Sequence, residues 1–244
     1  MSLNPMHQFE VYKIGPEIRL GDLNLSFTNA SLFMLISATL ISILLFFGTK
    51  KKTLIPSKIQ LITEMIYTFV AKMISETAGS SAKSYFPFIF TLFMFILFCN
   101  MVGMFPYSFT VTSHIIVTFA FAAIVFIGVT VIGFVKHGIK YLELFVPKGV
   151  PTVLLPLIVI IEIISYLSRP VSLSVRLFAN MMAGHTMLKV FGGFVISLGL
   201  LGGWLPLGFS VALTGLEILV AFLQAYVFAI LTCIYLNDAL NLHH

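Results

Sequence analysis

A small set of ionisable side chains lies within strongly apolar sequence in the C-terminal half of the chain. Glu162, Arg169 and Arg176 are spaced by seven residues, and at about 100° per helical residue they fall within about 40° of one another on one helix face. Glu217 and Gln224 are also seven residues apart and share a face of a later segment. Because buried charges in a membrane are costly and mark ion or substrate pathways, this pattern predicts a functional polar face on each of two helices.

The types of these side chains restrict the chemistry. The Arg176 guanidinium keeps its proton at any working pH, so it can attract a carboxylate but cannot readily relay a proton. His185 lies about 180° around the helix from Arg176, and it and Glu217 can both titrate near neutrality when partly buried. We therefore expect an electrostatic gate at Arg176 and proton transfer at His185 and Glu217, with a satisfied buried pair as the alternative for these two. Asn180 and Gln224 do not titrate, and they fit hydrogen-bonded helix packing as well as they fit channel lining.

The composition excludes a water-soluble globular protein. Of the 244 residues, 59% are hydrophobic and only 9% are charged, whereas a soluble domain is about one quarter charged. The basic residues occur in short clusters between apolar runs, as topology determinants do, so the net charge of +5 does not indicate nucleic-acid binding. Cys99 and Cys233 lie inside apolar runs without a ligand-like spacing, and we expect them to be buried non-ligands.

The first two long apolar stretches predict three membrane-spanning helices. Residues 23–49 contain no charge and are long enough to cross a hydrocarbon core of about 30 Å. Residues 84–135 are 52 uncharged residues, which predicts two spans joined by a turn at residues 104–108. Between these stretches, apolar and charged residues alternate at helical spacing in residues 55–80, which predicts an amphipathic helix lying on the inner membrane surface or against partner helices.

The remaining sequence predicts two long helices in a tilted hairpin, at residues 150–191 and 205–237. The first would be about 60 Å long as a helix, about twice the thickness of the hydrocarbon core. We favour one steeply tilted helix, with a chain reversal at Pro170 as the alternative. A glycine-rich turn between residues 192 and 206 is predicted to join the two.

These elements make residues 1–244 a single all-α membrane domain with five transmembrane helices. Two basic clusters, at residues 50–52 and 136–148, fall on the same side after two further crossings, and the positive-inside rule places them inside. The N-terminal segment, residues 1–22, is then outside. It lacks the pattern of a signal or transit peptide, so we expect insertion from the compartment of synthesis.

Several sequence motifs resemble subunit a of F-type ATP synthases. Residues 168–185 read SRPVSLSVRLFANMMAGH, and residues 217–226 read EILVAFLQAY. The resemblance extends to residues 100–107 (NMVGMFPY), to 112–114 (TSH) and to 4–10 near the N-terminus, and so covers essentially the whole chain.

The resemblance implies a stator subunit whose two long tilted helices face a rotating ring of c subunits. Arg176 matches the arginine that faces the ring carboxylates and separates two offset half-channels. The outer half-channel would be lined by four residues, His185, Glu217, Asn180 and Gln224, and Glu162 matches the acidic position of the inner one. His185 and Glu217 exchange the acid and histidine positions of some bacterial members, as in the mitochondrial-type branch.

Partners implied by the resemblance are the c-subunit ring, the peripheral-stalk b subunits and other ATP synthase subunits, within a lipid bilayer and without nucleic acid. The expected location is a bacterial cell inner membrane, with the mitochondrial inner membrane as the alternative. We expect no catalytic site, cofactor or metal, since the chain lacks a phosphate-binding GxxxxGK[ST] loop.

A proton- or sodium-coupled secondary transporter is the main alternative, but such proteins commonly show internal repeats, which this sequence lacks. A haem or quinone subunit would require facing histidines, and only His114 and His185 are candidates, at sites that look opposite.

Overall fold

A computed structural model describes residues 9–14, 19–20, 23–24, 26–50, 56–105, 108–146 and 154–241. This part of the chain is built almost wholly of helices, which confirms the predicted all-α class. The six α-helices are α1 (Asn29–Lys50), α2 (Lys58–Thr77), α3 (Phe86–Gly103), α4 (Ile115–His137), α5 (Leu155–Gly202) and α6 (Trp204–Leu240). Short 3-10 helices cover Ser80–Tyr85, Val111–Ser113 and Gly138–Phe145, and an antiparallel pair joins Arg19–Leu20 to Leu23–Asn24.

Five of the α-helices, all except α2, lie in segments long and apolar enough to cross a membrane, as predicted. Their outer surfaces carry large apolar side chains such as Ile116, Val135 and Ile139, each at least 80% exposed. Such surfaces would be unfavourable in water and are typical of contact with hydrocarbon. Cys99 and Cys233 are both buried, which confirms that part of the expectation for them.

Helix α2 is amphipathic and packs against other helices of its own chain. The Ser57 side chain caps its start by accepting a hydrogen bond from the Gln60 backbone N–H (3.3 Å). Val70 and Ile74 are buried on one face, and the Phe69 ring meets rings of α3 and α6 at centroid distances of 5.9 and 5.6 Å. The opposite face remains exposed.

The connection between α3 and α4 is longer than the predicted turn at residues 104–108. It runs from residue 104 to residue 114, with residues 106–107 outside the described part. The Ser108 and Thr110 hydroxyls both donate to the Gly103 carbonyl (3.0 and 3.2 Å), and the Ser113 hydroxyl donates to the Thr110 carbonyl (2.6 Å). Because the first two of these bonds satisfy the free Gly103 carbonyl at the end of α3, the chain stays folded against that helix instead of turning back at once.

Helix α5 continues through Pro170, so the alternative of a chain reversal there is wrong. Proline has a helix-compatible φ, and membrane helices tolerate it in their interior because neighbouring groups satisfy the backbone carbonyl that it frees. The prediction that a turn begins at Gly192 is also wrong, since Gly192 and Gly193 are helical and the non-helical break comes at Gly199, with φ of 58°. A membrane helix accommodates glycine, and only a left-handed φ requires it. The 45 residues from Leu155 to this break at Gly199 span about 70 Å.

Helices α5 and α6 run antiparallel, with α4 packed on α5 and α3 packed on α6. We call the end that contains residues 104–114 and the α5–α6 turn the loop end. The start of α1 is also there, since Ala30 packs with Phe109 and Val111. We call the opposite end, which contains Lys50, Lys136 and the end of α6, the basic end. Lys51, Lys52 and Lys148 lie outside the described residues, as does most of the predicted outer segment.

Candidate functional site

Arg176 lies on α5 with its side chain exposed. Its sequence neighbours Leu173 and Leu177 are 2% and 0% exposed, so one face of α5 is packed inside the protein and Arg176 lies about 100° around the helix from Leu177. In the described part of the chain, salt bridges join Lys72 to Glu76 and Arg169 to Asp238, and Arg176 takes part in neither. The guanidinium is therefore presented outward from the α5–α6 hairpin.

Asn180 and Gln224 form a hydrogen bond between the two long helices. The Asn180 Nδ2 donates to the Gln224 Oε1 at 2.9 Å. Gln224 is only 3% exposed, and its Nε2 is buried without a hydrogen-bond partner among the described residues. One turn of α5 beyond Arg176, the two helices thus share a polar contact, and the Gln224 Nε2 beside it can still donate hydrogen bonds.

Glu217 faces α5 at a point where the helices approach closely. A Cβ added at Gly184 would lie 2.4 Å from the Glu217 Oε1, so the carboxylate occupies the space that glycine leaves open. This Oε1 is buried and has no hydrogen-bond partner in the described part. A buried, unpaired carboxyl oxygen is expensive unless water or a proton satisfies it.

His185 follows Gly184 and faces the connection between α3 and α4. Its Nε2 lies 3.0 Å from the Thr110 Oγ1, with the donor set by the ring tautomer. The resemblance implies that His185 and Glu217 belong to one path. In the structure, the Glu217 carboxylate lies against Gly184 of α5, the residue directly before His185. Their side chains are brought to one region of the loop end.

Glu162 and Arg169 lie on the basic-end side of Arg176, and the structure gives them different surroundings. The Arg169 Nη1 is 3.3 Å from the Asp238 Oδ2 on α6. Its guanidinium also lies over the rings of Tyr166 and Tyr235, at 5.3 and 4.9 Å from their centroids. Glu162 is half-buried. Of the three residues spaced by seven, Arg169 is therefore held within the chain and Arg176 is not.

Further polar contacts tie the basic end together. The Tyr166 hydroxyl is 2.6 Å from the Thr130 Oγ1 and 3.1 Å from the Tyr141 hydroxyl. The Lys136 Nζ donates to the Leu240 carbonyl at 2.9 Å, and the His137 Nε2 lies 3.1 Å from the same oxygen. Basic side chains beside the last carbonyls of a helix stabilise its C-terminus.

Residues 100 and 112–114 belong to the sequence motifs, and His114 is a possible haem ligand, but the sequence did not predict that their polar side chains come together at the loop end. Asn100 donates from Nδ2 to the Ala221 carbonyl of α6 at 3.2 Å. Its Oδ1, the Thr112 Oγ1 and the His114 Nε2 are all buried without a hydrogen-bond partner among the described residues. Burial lowers the pKa of His114, which favours the neutral ring. The signal for this cluster was the density of hydroxyl and imidazole side chains at residues 108–114 in an otherwise apolar stretch.

The two histidines considered as haem ligands do not look toward opposite sites. Both lie at the loop end, since His185 contacts Thr110 in the same connection that His114 closes. The sequence could not give their relative placement, because it does not show that the loop carrying His114 folds back over α5. Within the described residues, no group of three His, Cys, Asp or Glu side chains could hold a metal ion.

Comparison with known proteins agrees with the motifs. Residues 31–237 match the model of the family described as ATP synthase A chain. The chain is 77% identical to ATP synthase subunit a of Pelagibacter ubique, with both chains covered in full. It is 58% identical to ATP synthase subunit a of a Chelativorans species over the full length of both. The identity to ATP synthase subunit a of Rhizobium rhizogenes is 59%, covering 99% of this chain and 98% of that one.

Proposed function

This chain belongs to the ATP synthase A chain family, and from that premise we propose that it delivers protons to, and collects them from, carboxylates on a rotating ring of c subunits. As a multi-pass membrane member of this family it serves ATP synthesis and proton transport in the Fo sector, in complex with other ATP synthase subunits. The chain itself contributes no catalytic site. Its work is to control where on the ring a proton binds and leaves.

The exposed position of Arg176 is the observation that carries this proposal. A guanidinium that faces outward from an apolar helix pair is costly in a bilayer unless an anion or water meets it. The Arg176 side chain has this outward position, whereas Arg169 on the same helix is satisfied by Asp238. A ring carboxylate passing Arg176 would supply the missing anion and would be held ionised there, because an adjacent cation favours the charged form.

Two groups of polar side chains on opposite sides of Arg176 support two separate half-channels. Toward the loop end lie Asn180, Gln224, His185 and Glu217, with two buried polar atoms that lack partners in the described part. Toward the basic end lies the half-buried Glu162. Arg176 between them cannot relay a proton, so a proton crosses only by riding the ring from one half-channel to the other.

Energetics favour a device with many sites. One elementary charge moved through 100 mV is worth about 2.3 kcal/mol, so several protons are needed for each costly synthetic step. A ring that presents one carboxylate after another to Arg176 meets this need, whereas a single gated pore would dissipate the gradient.

The orientation of the chain follows the basic clusters. Lys50 and Lys136 share the basic end, which the positive-inside rule assigns to the inner side. The loop end is then the outer side, where protons enter during synthesis. We place the protein in a bacterial cell inner membrane, with the c ring against α5 and α6 and the peripheral-stalk b subunits among its other partners.

Replacing Arg176 tests this proposal. In vesicles that contain the complete ATP synthase, Arg176→Ala should lower ATP synthesis driven by an imposed proton gradient by at least about a hundredfold, because the electrostatic contact with the ring carboxylate is lost. The matched control is Val175→Ala, a neighbouring exposed residue of α5, which should retain synthesis. Normal synthesis by Arg176→Ala in assembled complexes would refute the gate.

A further inference from the structure

We infer that His114 is a further proton-transferring residue, which receives protons from the outer aqueous phase and passes them inward toward His185 and Glu217. The inference rests on the proposed function, because it concerns the entrance of the same outer half-channel. It assigns that entrance to the α3–α4 connection and gives it a titratable group of its own.

The first support is the distribution of buried polar atoms that lack partners. Five such side-chain atoms occur in the described part of the chain, on Asn100, Thr112, His114, Glu217 and Gln224. All five residues lie on α3, on the α3–α4 connection or on α6, from the middle of the bundle toward the loop end. Buried polar atoms are ordinarily paired with protein or with water, so this series marks the course of water from His114 inward.

The second support is a direct link between the connection and the predicted path. Thr110 lies four residues before His114, and its hydroxyl contacts the His185 Nε2 at 3.0 Å while it also donates to the Gly103 carbonyl at 3.2 Å. The segment that carries His114 is therefore fixed against the functional histidine of α5. Lys189, one turn beyond His185, adds a positive charge on the same helix.

The His114 ring is itself held in a defined position. It stacks on Phe109 at a centroid distance of 5.0 Å and an interplanar angle of 21°. The His114 carbonyl accepts the Val117 and Thr118 N–H groups at 3.1 Å at the start of α4. The residue as a whole is partly exposed while its Nε2 is buried. Part of the residue is therefore reachable from outside, and its Nε2 lies in the interior.

The α5–α6 turn is the competing entrance, and it lacks the chemistry. Residues 196–209 contain no ionisable side chain, and Ile196, Trp204 and Leu205 there are each more than half exposed. Such a surface suits lipid and offers nothing to hold a proton.

The transfer balances at the imidazole. The neutral ring takes a proton from water on the outer side and becomes an imidazolium, then gives a proton to the next water inward and returns to the neutral form. The proton enters at one ring nitrogen and leaves from the other, so each cycle moves one proton inward and leaves the other neutral tautomer. Rotation of the ring, or exchange of its N–H hydrogen with water, restores the starting tautomer before the next cycle.

Passive proton flux through the Fo sector in vesicles tests the inference. His114→Ala should slow the flux by about tenfold, and added imidazole should restore most of it by replacing the missing acid–base group. His114→Gln preserves a polar side chain of similar size and should remain slow. The matched control is His137→Gln at the basic end, where the histidine ring contacts the Leu240 carbonyl, and it should keep normal flux.

The outcomes separate this inference from the proposed function when Glu217→Gln is measured alongside. Normal flux in His114→Ala with blocked flux in Glu217→Gln would overturn the inference alone. Normal flux in both variants would overturn the proposed function as well. Full activity of His114→Gln would show that the residue lines the path without titrating, which also overturns the relay.

Accessibility gives a test that does not depend on transport. With Cys99 and Cys233 replaced by serine, Thr112→Cys should react with a small charged thiol reagent added from the outer side only. Exposed Thr39, on the side of α1, supplies the control as Thr39→Cys, which should be protected by lipid. Equal protection of both cysteines would overturn the entrance at the α3–α4 connection.

Discussion

The two ends of the α5–α6 hairpin treat their polar side chains in opposite ways. At the basic end, Arg169 has Asp238 and two tyrosine rings, and the Lys136 and His137 side chains meet the Leu240 carbonyl. At the loop end, Glu217 has a buried oxygen without a partner in the described part. Satisfied polar networks make a structure rigid, and unsatisfied ones require water or a change of protonation. We propose that the basic end fastens the hairpin and that the loop end exchanges protons.

The largest change in proton flux that this contrast predicts is at Glu217. Glu217→Gln removes a titratable group and should slow proton flux by at least about a hundredfold. Asn180→Ala removes one neutral hydrogen bond to Gln224 and should cost about fivefold at most. Both are measured as flux through the Fo sector in vesicles, and equal effects would mean that Glu217 is structural.

The smallest expected effect concerns the basic end. Asp238→Asn should lower the unfolding midpoint of the protein in detergent by about 3 °C, corresponding to about 1 kcal/mol for a part-exposed ion pair. Proton flux should change by less than about twofold, since Arg169 still lies between the two rings.

A second ion pair supplies the control for this prediction. Glu76 pairs with Lys72 at 3.8 Å on the exposed face of α2, so Glu76→Gln should leave the unfolding midpoint unchanged. If Asp238→Asn lowers proton flux by much more than twofold while the protein remains folded and assembled, Asp238 belongs to the proton path. The contrast between the two ends would then be wrong.

The architecture could be predicted because hydropathy and helix length are properties of continuous sequence. Five spans and the amphipathic α2 follow from that pattern alone. The end of α5 could not be placed, since Gly192 and Gly199 are the same residue type and only the second adopts a left-handed φ. The connection at residues 104–114 was likewise beyond sequence reasoning, because hydroxyl groups bonded to the Gly103 carbonyl determine its course.

The candidate site shows the same division. Spacing by seven placed Glu162, Arg169 and Arg176 on one face, and the residue types alone predicted a gate. Spacing could not show that Asp238 forms an ion pair with Arg169 and that Arg176 remains exposed, because both depend on how α6 packs against α5. Nor could spacing predict the environment of His114, because that environment is created by a loop that meets α5 through Thr110.

The most direct test of the gate compares pumping and leakage in the same vesicles. With Arg176→Ala, ATP hydrolysis should no longer drive proton uptake, while passive flux through the Fo sector persists, because both half-channels remain and only their separation is lost. Coupled pumping at the rate of the Val175→Ala control would contradict the account.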